Sequence, residues 1–156
     1  MKVFISYGDA SDQVTALRLQ ALGAVNGLTV YVPPAFTRQG SAALLDPEAS
    51  KKLNDAEVIL GVVGGGLTEA CRQELNTGIA LHKSMLVMTH PESAPALQRF
   101  FRSNLVVIDP DNPGAAEVDI VRYLKTLDAQ QSAKNTLVAL GALALGLLIL
   151  APADRS

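Results

Sequence analysis

Val3-Phe4-Ile5-Ser6-Tyr7, followed at once by Gly8-Asp9-Ala10-Ser11-Asp12, is the stretch on which the fold turns. A run this short and this apolar, breaking off into a polar loop, describes a strand covered on both faces rather than one half exposed to water. Further runs of the same kind follow at 28–32, 58–63, 85–88 and 105–108, each rich in Val, Ile, Leu or Met. Between them apolar residues recur at helical spacing: Val14, Leu17, Ala21 and Leu22; then Cys71, Leu75 and Ile79; then Val118, Val121, Leu124 and Leu127. Gly23 and Gly27 read as stops for the first helix, Asp46-Pro47 as the start of the second and Thr68 as the cap of the third. Before the fourth, Pro91-Glu92-Ser93 is the only start signal.

Strand alternating with helix predicts right-handed crossovers and a parallel sheet. The expected fold class is α/β: a flavodoxin-like doubly wound five-stranded parallel sheet in the order 2-1-3-4-5, plus a C-terminal hydrophobic helix. A chain of 156 residues suits one domain with a real core. We expect that domain at 1–129, a polar linker at 130–135 and the hydrophobic helix at 136–153. A formal charge of -2 and a pI near 5.6 supply no basic field for a phosphate backbone, so nucleic acid is not an expected partner. The single cysteine leaves no internal disulfide framework. Cys71, His82 and His90 stand too far apart to suggest a zinc site, and no metal or cofactor is expected. The N-terminus has neither the basic segment nor the long apolar run of a secretory signal, which predicts that the domain stays in the cytosol.

In an open parallel sheet the ligand crevice lies beyond the carboxyl ends of the strands, where the strand order reverses, here between the first and third. The loop after the first strand brings Gly8, Asp9, Ser11 and Asp12 to it. The segment after the third brings Gly64-Gly65-Gly66 and then a helix with Cys71 and Glu74. The triple glycine reads either as a tight turn or as a close approach to a small molecule; it fits neither common phosphate-loop pattern. A receiver domain would need an aspartate at the end of the third strand, where this chain has glycine, and Tyr7-Gly8-Asp9-Ala10 is too poor in hydroxyls for a flavin phosphate loop. Asp9 and Asp12 read as caps of the first helix or as walls of the crevice.

The first strand with its nearby acid, Leu28-Thr29-Val30-Tyr31-Val32-Pro33, and Asp55-Ala56-Glu57-Val58-Ile59-Leu60-Gly61-Val62-Val63 followed by Thr68 to Leu75 together resemble the bacterial type of TIR (Toll/interleukin-1 receptor) domain. The likeness spans roughly Met1 to Leu127 and is most specific at the first box and at Cys71-Arg72-Gln73-Glu74. Enzymes of that family carry a cysteine three residues before the glutamate that is essential for cleaving NAD⁺. The resemblance therefore implies Glu74 as the catalytic residue, with Ser6, Tyr7, Asp9, Asp12, Phe36, Arg38, Gly65 and Cys71 around the substrate. NAD⁺ is then substrate rather than cofactor. The chain departs from the family in having Ala70 before the cysteine. It departs again in the loop Pro33-Pro34-Ala35-Phe36-Thr37-Arg38-Gln39-Gly40, which keeps only an arginine, prolines and a glycine of the usual pattern. Cys71 reads as a small core residue before it reads as a nucleophile.

The segment 136–153 carries no charged side chain and is apolar on every face. At 1.5 Å per residue it spans about 27 Å, near the thickness of a bilayer core. It is expected to anchor the domain at the cytoplasmic face of a membrane or, alternatively, to pack between subunits of an oligomer, where Gly141 and Gly146 allow close approach. Three functions follow as expectations: a membrane-tethered TIR NAD⁺ glycohydrolase or cyclase, an immune effector or signal generator against phage that acts on self-association through domain and tail; a TIR scaffold without catalysis; or a nucleotide N-glycosidase or deoxyribosyltransferase-like enzyme, to which Gly64-Gly65-Gly66-Leu67-Thr68-Glu69 has a faint likeness.

Overall fold

The computed structural model describes residues 1–38, 46–64, 67–101 and 104–130. Strands β1 (Lys2–Tyr7), β2 (Thr29–Tyr31), β3 (Val58–Val63), β4 (Ser84–Thr89) and β5 (Leu105–Val107) alternate with helices α1 (Ala10–Val25), α2 (Pro47–Asp55), α3 (Glu69–Ala80), α4 (Ala94–Phe101) and α5 (Pro113–Ala129). A short 3-10 turn, Ala35–Arg38, follows β2. Every strand pairing is parallel and the order is β2-β1-β3-β4-β5, as expected. The expected C-terminal helix at 136–153 lies outside the described residues. Among those that are described, no helix is long and apolar enough to cross a membrane.

Side chains of a strand alternate between faces, and the two faces here build two cores. Val3, Ile5 and Tyr7 of β1 join Ala16 and Leu19 of α1 and Ile120, Val121, Leu124 and Leu127 of α5 on one side. Phe4 joins Ala49 and Leu53 of α2, Cys71 and Leu75 of α3 and Leu97 of α4 on the other. The central β3 is buried at every position, which is why its sequence reads as an unbroken apolar run. Each of its larger side chains contributes about 1.5–3 kcal/mol by leaving water.

The caps sit largely where the sequence places them. Asp9 and Asp12 form a reciprocal capping box at the start of α1, Asp46 accepts from the Ala49 N–H with Pro47 in the first turn of α2, and Thr68 accepts from the Cys71 N–H. Gly27 has φ 81°, the left-handed conformation that glycine adopts without strain. Gly23, read as a stop, is instead inside α1, where a Cβ would fall 2.7 Å from Val30 Cγ2. The helix runs past it because the missing side chain lets α1 lie close on β2.

The apolar spacing of α1 also differs from its burial. The core face is Asp12, Ala16, Leu19 and Gly23, while Val14 and Leu17 face outward at 54% and 46% exposure. Ile79 of α3 and Val118 of α5 are likewise exposed, and Gly78 takes the buried place beside Ile79. Two polar clamps secure the layers. Arg18 of α1 grips the buried Glu117 of α5 at 2.6–3.2 Å, and Lys83 Nζ donates to the carbonyls of Asn54 and Ala56 at the end of α2.

Candidate active site

The site begins with a missing side chain. Ser6 of β1 lies opposite Gly61 of β3, and a Cβ on Gly61 would press at 3.3 Å on both Leu75 and Val87. Without it, α3 lies close against the middle of the sheet, and two residues of its first turns, Cys71 and Glu74, reach the β1 strand. Ser6 Oγ is 2.7 Å from Glu74 Oε1 and 3.2 Å from Cys71 Sγ. A hydroxyl has one proton, and the shorter, charge-assisted contact claims it. The Cys71 thiol stays protonated beside it, since burial pushes its pKa up to about 12.

The other half of the site comes from the segment after β2. Tyr7, the last residue of β1, donates its phenol proton to the Pro33 carbonyl at 2.7 Å, tying that segment to the end of the strand. Thr37 N–H and Oγ1 both donate to the Pro34 carbonyl and close the turn Ala35–Arg38. The turn delivers Arg38 onto Glu74 as a two-pronged ion pair, Nη1 to Oε2 at 2.9 Å and Nη2 to Oε1 at 2.7 Å. The guanidinium also lies 4.4 Å from the centre of the Tyr7 ring, within reach of the ring's negative face. The pair is enclosed, the side chains being 6% and 1% exposed.

Burial pushes the Glu74 carboxyl up from its ordinary range, while the Arg38 guanidinium and the Ser6 hydroxyl pull against that rise. Burial raises the Tyr7 phenol as well. Among the described residues two buried polar side-chain atoms have no partner, Arg38 Nε and the Tyr31 hydroxyl. The Tyr31 ring stacks on Phe4, with centroids 5.6 Å apart. Chemically, the arrangement is a sequestered carboxylate that keeps its charge through one cation; were that cation to leave, it would take up a proton or another positive group.

Of the residues singled out in the sequence, Ser6, Tyr7, Arg38, Cys71 and Glu74 are thus brought together. Asp9 and Asp12 are committed to other tasks. Asp9 is exposed and accepts from the Asp12 N–H and the Ser11 hydroxyl, which lower its pKa. Asp12, 3% exposed, accepts from the Gly64 and Asp9 N–H groups, and its pKa is raised by burial. It remains near enough for its charge to add to the rise of Cys71. Phe36 belongs to the 3-10 turn, but its side chain and the whole of Gly65 lie outside the described residues. Among the described residues no three His, Cys, Asp or Glu side chains are gathered as metal ligands.

Sequence reasoning did not place Gly61, Tyr31, Pro33 or His90 at the site. Gly61 left a signal, a lone glycine inside a Val/Ile/Leu strand, which marks a close approach. His90 left none: its ring meets Gly64 so closely that a Cβ there would lie 2.8 Å from Nε2 and 2.6 Å from Asp12 Oδ1. In sequence comparisons the chain matches no family model, and no curated protein matches it either.

Proposed function

We propose that this chain is a TIR-type enzyme that breaks the nicotinamide–ribose bond of NAD⁺, with Glu74 as its catalytic carboxylate. The observation that carries the reading is an ionisable carboxyl 1% exposed, on the helix after the third strand of a doubly wound sheet, held by a serine of the first strand. Breaking that bond develops positive charge on the ribose, and a carboxylate in a water-poor site stabilises such charge far more than one in solvent. Nicotinamide leaves neutral and requires no acid. Ser6 fixes the carboxylate's direction. Arg38 occupies it in this state, so the Ala35–Arg38 turn must lift before a ribose can reach Glu74. Clustering of subunits, with the apolar segment 136–153 as a membrane tether, would supply the trigger for that movement.

The test is NAD⁺ consumption by clustered wild-type and Glu74→Ala protein, with products separated by chromatography. The enzyme reading expects a loss of about 100-fold or more in the variant. One observation favours a second reading, a scaffold without catalysis: the ion pair that seals Glu74 is also what a purely structural carboxylate would have. Clustered wild type that consumes no NAD⁺ would overturn the NAD⁺-cleaving reading, and with nucleoside monophosphates also left intact the scaffold is the reading that stands. A nucleoside monophosphate cleaved in preference to NAD⁺ would establish a nucleotide N-glycosidase.

A further inference from the structure

We propose that the Tyr7 ring and the Glu74 carboxylate form a recognition box for a planar organic cation, a guanidinium or an N-alkylpyridinium, and that Arg38 is its resident occupant. The walls are held without Arg38. Glu74 is fixed by Ser6 at 2.7 Å, and Tyr7 by its bond to the Pro33 carbonyl at 2.7 Å. Both residues are 1% exposed and stand on a central strand and a packed helix. The occupant comes from a different kind of element, a four-residue turn closed by Thr37 on Pro34.

The box selects for flatness as well as charge. The guanidinium meets a ring at 4.4 Å on its face and a carboxylate at its edge through two N–H donors. A guanidinium satisfies both contacts at once and a pyridinium keeps the ring contact while meeting the carboxylate by charge alone, whereas a compact ammonium cannot lie flat on the ring and offer the carboxylate two parallel donors together. The occupant's fit is also incomplete. Arg38 Nε is buried and donates to nothing among the described residues, a cost a free guanidinium could avoid by turning within the box. A vacated box would leave Glu74 buried and uncompensated, so a cation of the right shape has a strong drive to enter.

This inference does not depend on bond cleavage, although the nicotinamide ring of NAD⁺ is itself a planar cation and would place its ribose beside Glu74. The probes are therefore ions without a glycosidic bond: ethylguanidinium, the 1-methylnicotinamide cation (methylated on the ring nitrogen) and, as the non-planar control, ethylammonium. They are titrated into the full-length Arg38→Ala protein, read by thermal unfolding and calorimetry, with wild type and Arg38→Ala/Glu74→Gln alongside. We expect ethylguanidinium to raise the Tm of Arg38→Ala saturably, by about 3 °C or more, and to bind at least about tenfold more tightly than ethylammonium. Wild type, with the box filled, and the double variant, without the carboxylate, should show no saturable response. The 1-methylnicotinamide arm decides whether the box accepts pyridinium as well as guanidinium; a response to guanidinium alone would overturn the pyridinium half. Should Arg38→Ala not fold unaided, refolding in ethylguanidinium but not in ethylammonium is the supporting result, and Arg38→Gln serves as a second host for the titration. The proposal is overturned if folded Arg38→Ala or Arg38→Gln gives no saturable response, if ethylammonium performs as well, if wild type and Arg38→Ala respond alike, or if neither ion refolds the variant.

Discussion

Truncating Arg38 to alanine should produce a stability loss that grows with pH. The substitution leaves Glu74, 1% exposed, with the Ser6 hydroxyl and no counter-ion among the described residues. An uncompensated buried charge costs about 3–5 kcal/mol, a large part of the 5–15 kcal/mol or so by which a typical domain is stable. Proton uptake offers the carboxyl an escape. Burial already raises its pKa against the opposing pull of Arg38 and Ser6, so removing Arg38 raises it further. A carboxyl whose folded pKa exceeds its unfolded value holds its proton more tightly when folded. That contribution is fully present below the unfolded value, near 4.5, and is lost as pH rises through the folded one, at up to about 1.4 kcal/mol per pH unit. The deficit of Arg38→Ala against wild type should therefore widen from about 1 kcal/mol near pH 5 to about 3–5 kcal/mol near pH 8. Urea unfolding followed by circular dichroism across that range measures it. Adding Glu74→Gln should flatten the profile, and the apolar pair Arg38→Met/Glu74→Leu should match or exceed wild type, since desolvation of the ions no longer has to be offset. A deficit under about 1 kcal/mol near pH 8, or one that does not change with pH, would refute the reasoning.

Cys71, fully buried and with its thiol pushed up to about 12, should react with a disulfide reagent near pH 8 about 100-fold or more slowly in native than in urea-unfolded protein; comparable rates would show that α3 opens readily. Gly78→Ala places a Cβ against Ile59 Cδ1, so despite the better helix propensity it should destabilise by about 1–3 kcal/mol, and Ile59→Val, which deletes the obstructing methyl, should recover most of that. The Arg18–Glu117 clamp joins a side chain 51% exposed to one 5% exposed, so Arg18→Ala, which strands the buried acid, should cost about 1–3 kcal/mol in urea unfolding, and Glu117→Gln distinctly less.

The order of strands and helices was legible because a doubly wound sheet writes its pattern locally: a buried strand is a short apolar run, and most of the crossover helices announce their caps, as Asp46 and Thr68 do, α4 being the exception. The errors have physical causes. α1 carries Val and Leu on its outward side, so the apolar spacing of Val14 and Leu17 points away from the face that Ala16 and Leu19 bury. Gly23 serves a packing contact that is indistinguishable in sequence from a stop. β2 and β5 are shorter than their apolar runs, since a strand at a sheet edge is paired on one side alone. The site was legible as a set of residues, yet its central fact was not. Arg38 and Glu74 are 36 positions apart, and nothing local in either segment states that one guanidinium will lie between a particular ring and a particular carboxylate. Gly61 was the one visible hint that α3 approaches closely enough to permit it.

Those short edge strands also bear on how the protein behaves when concentrated. A neighbouring molecule seeking to extend the sheet finds at either end only a three-residue ladder, too little to hold a strand against thermal motion. The sticky sequence is inside: β3, Val-Ile-Leu-Gly-Val-Val, has neither charge nor proline and is shielded on both faces while the domain stays folded. Strand-to-strand aggregation of the described domain should accordingly track the unfolded fraction rather than the protein concentration alone, so changes that loosen the β3 core would show first as loss of solubility.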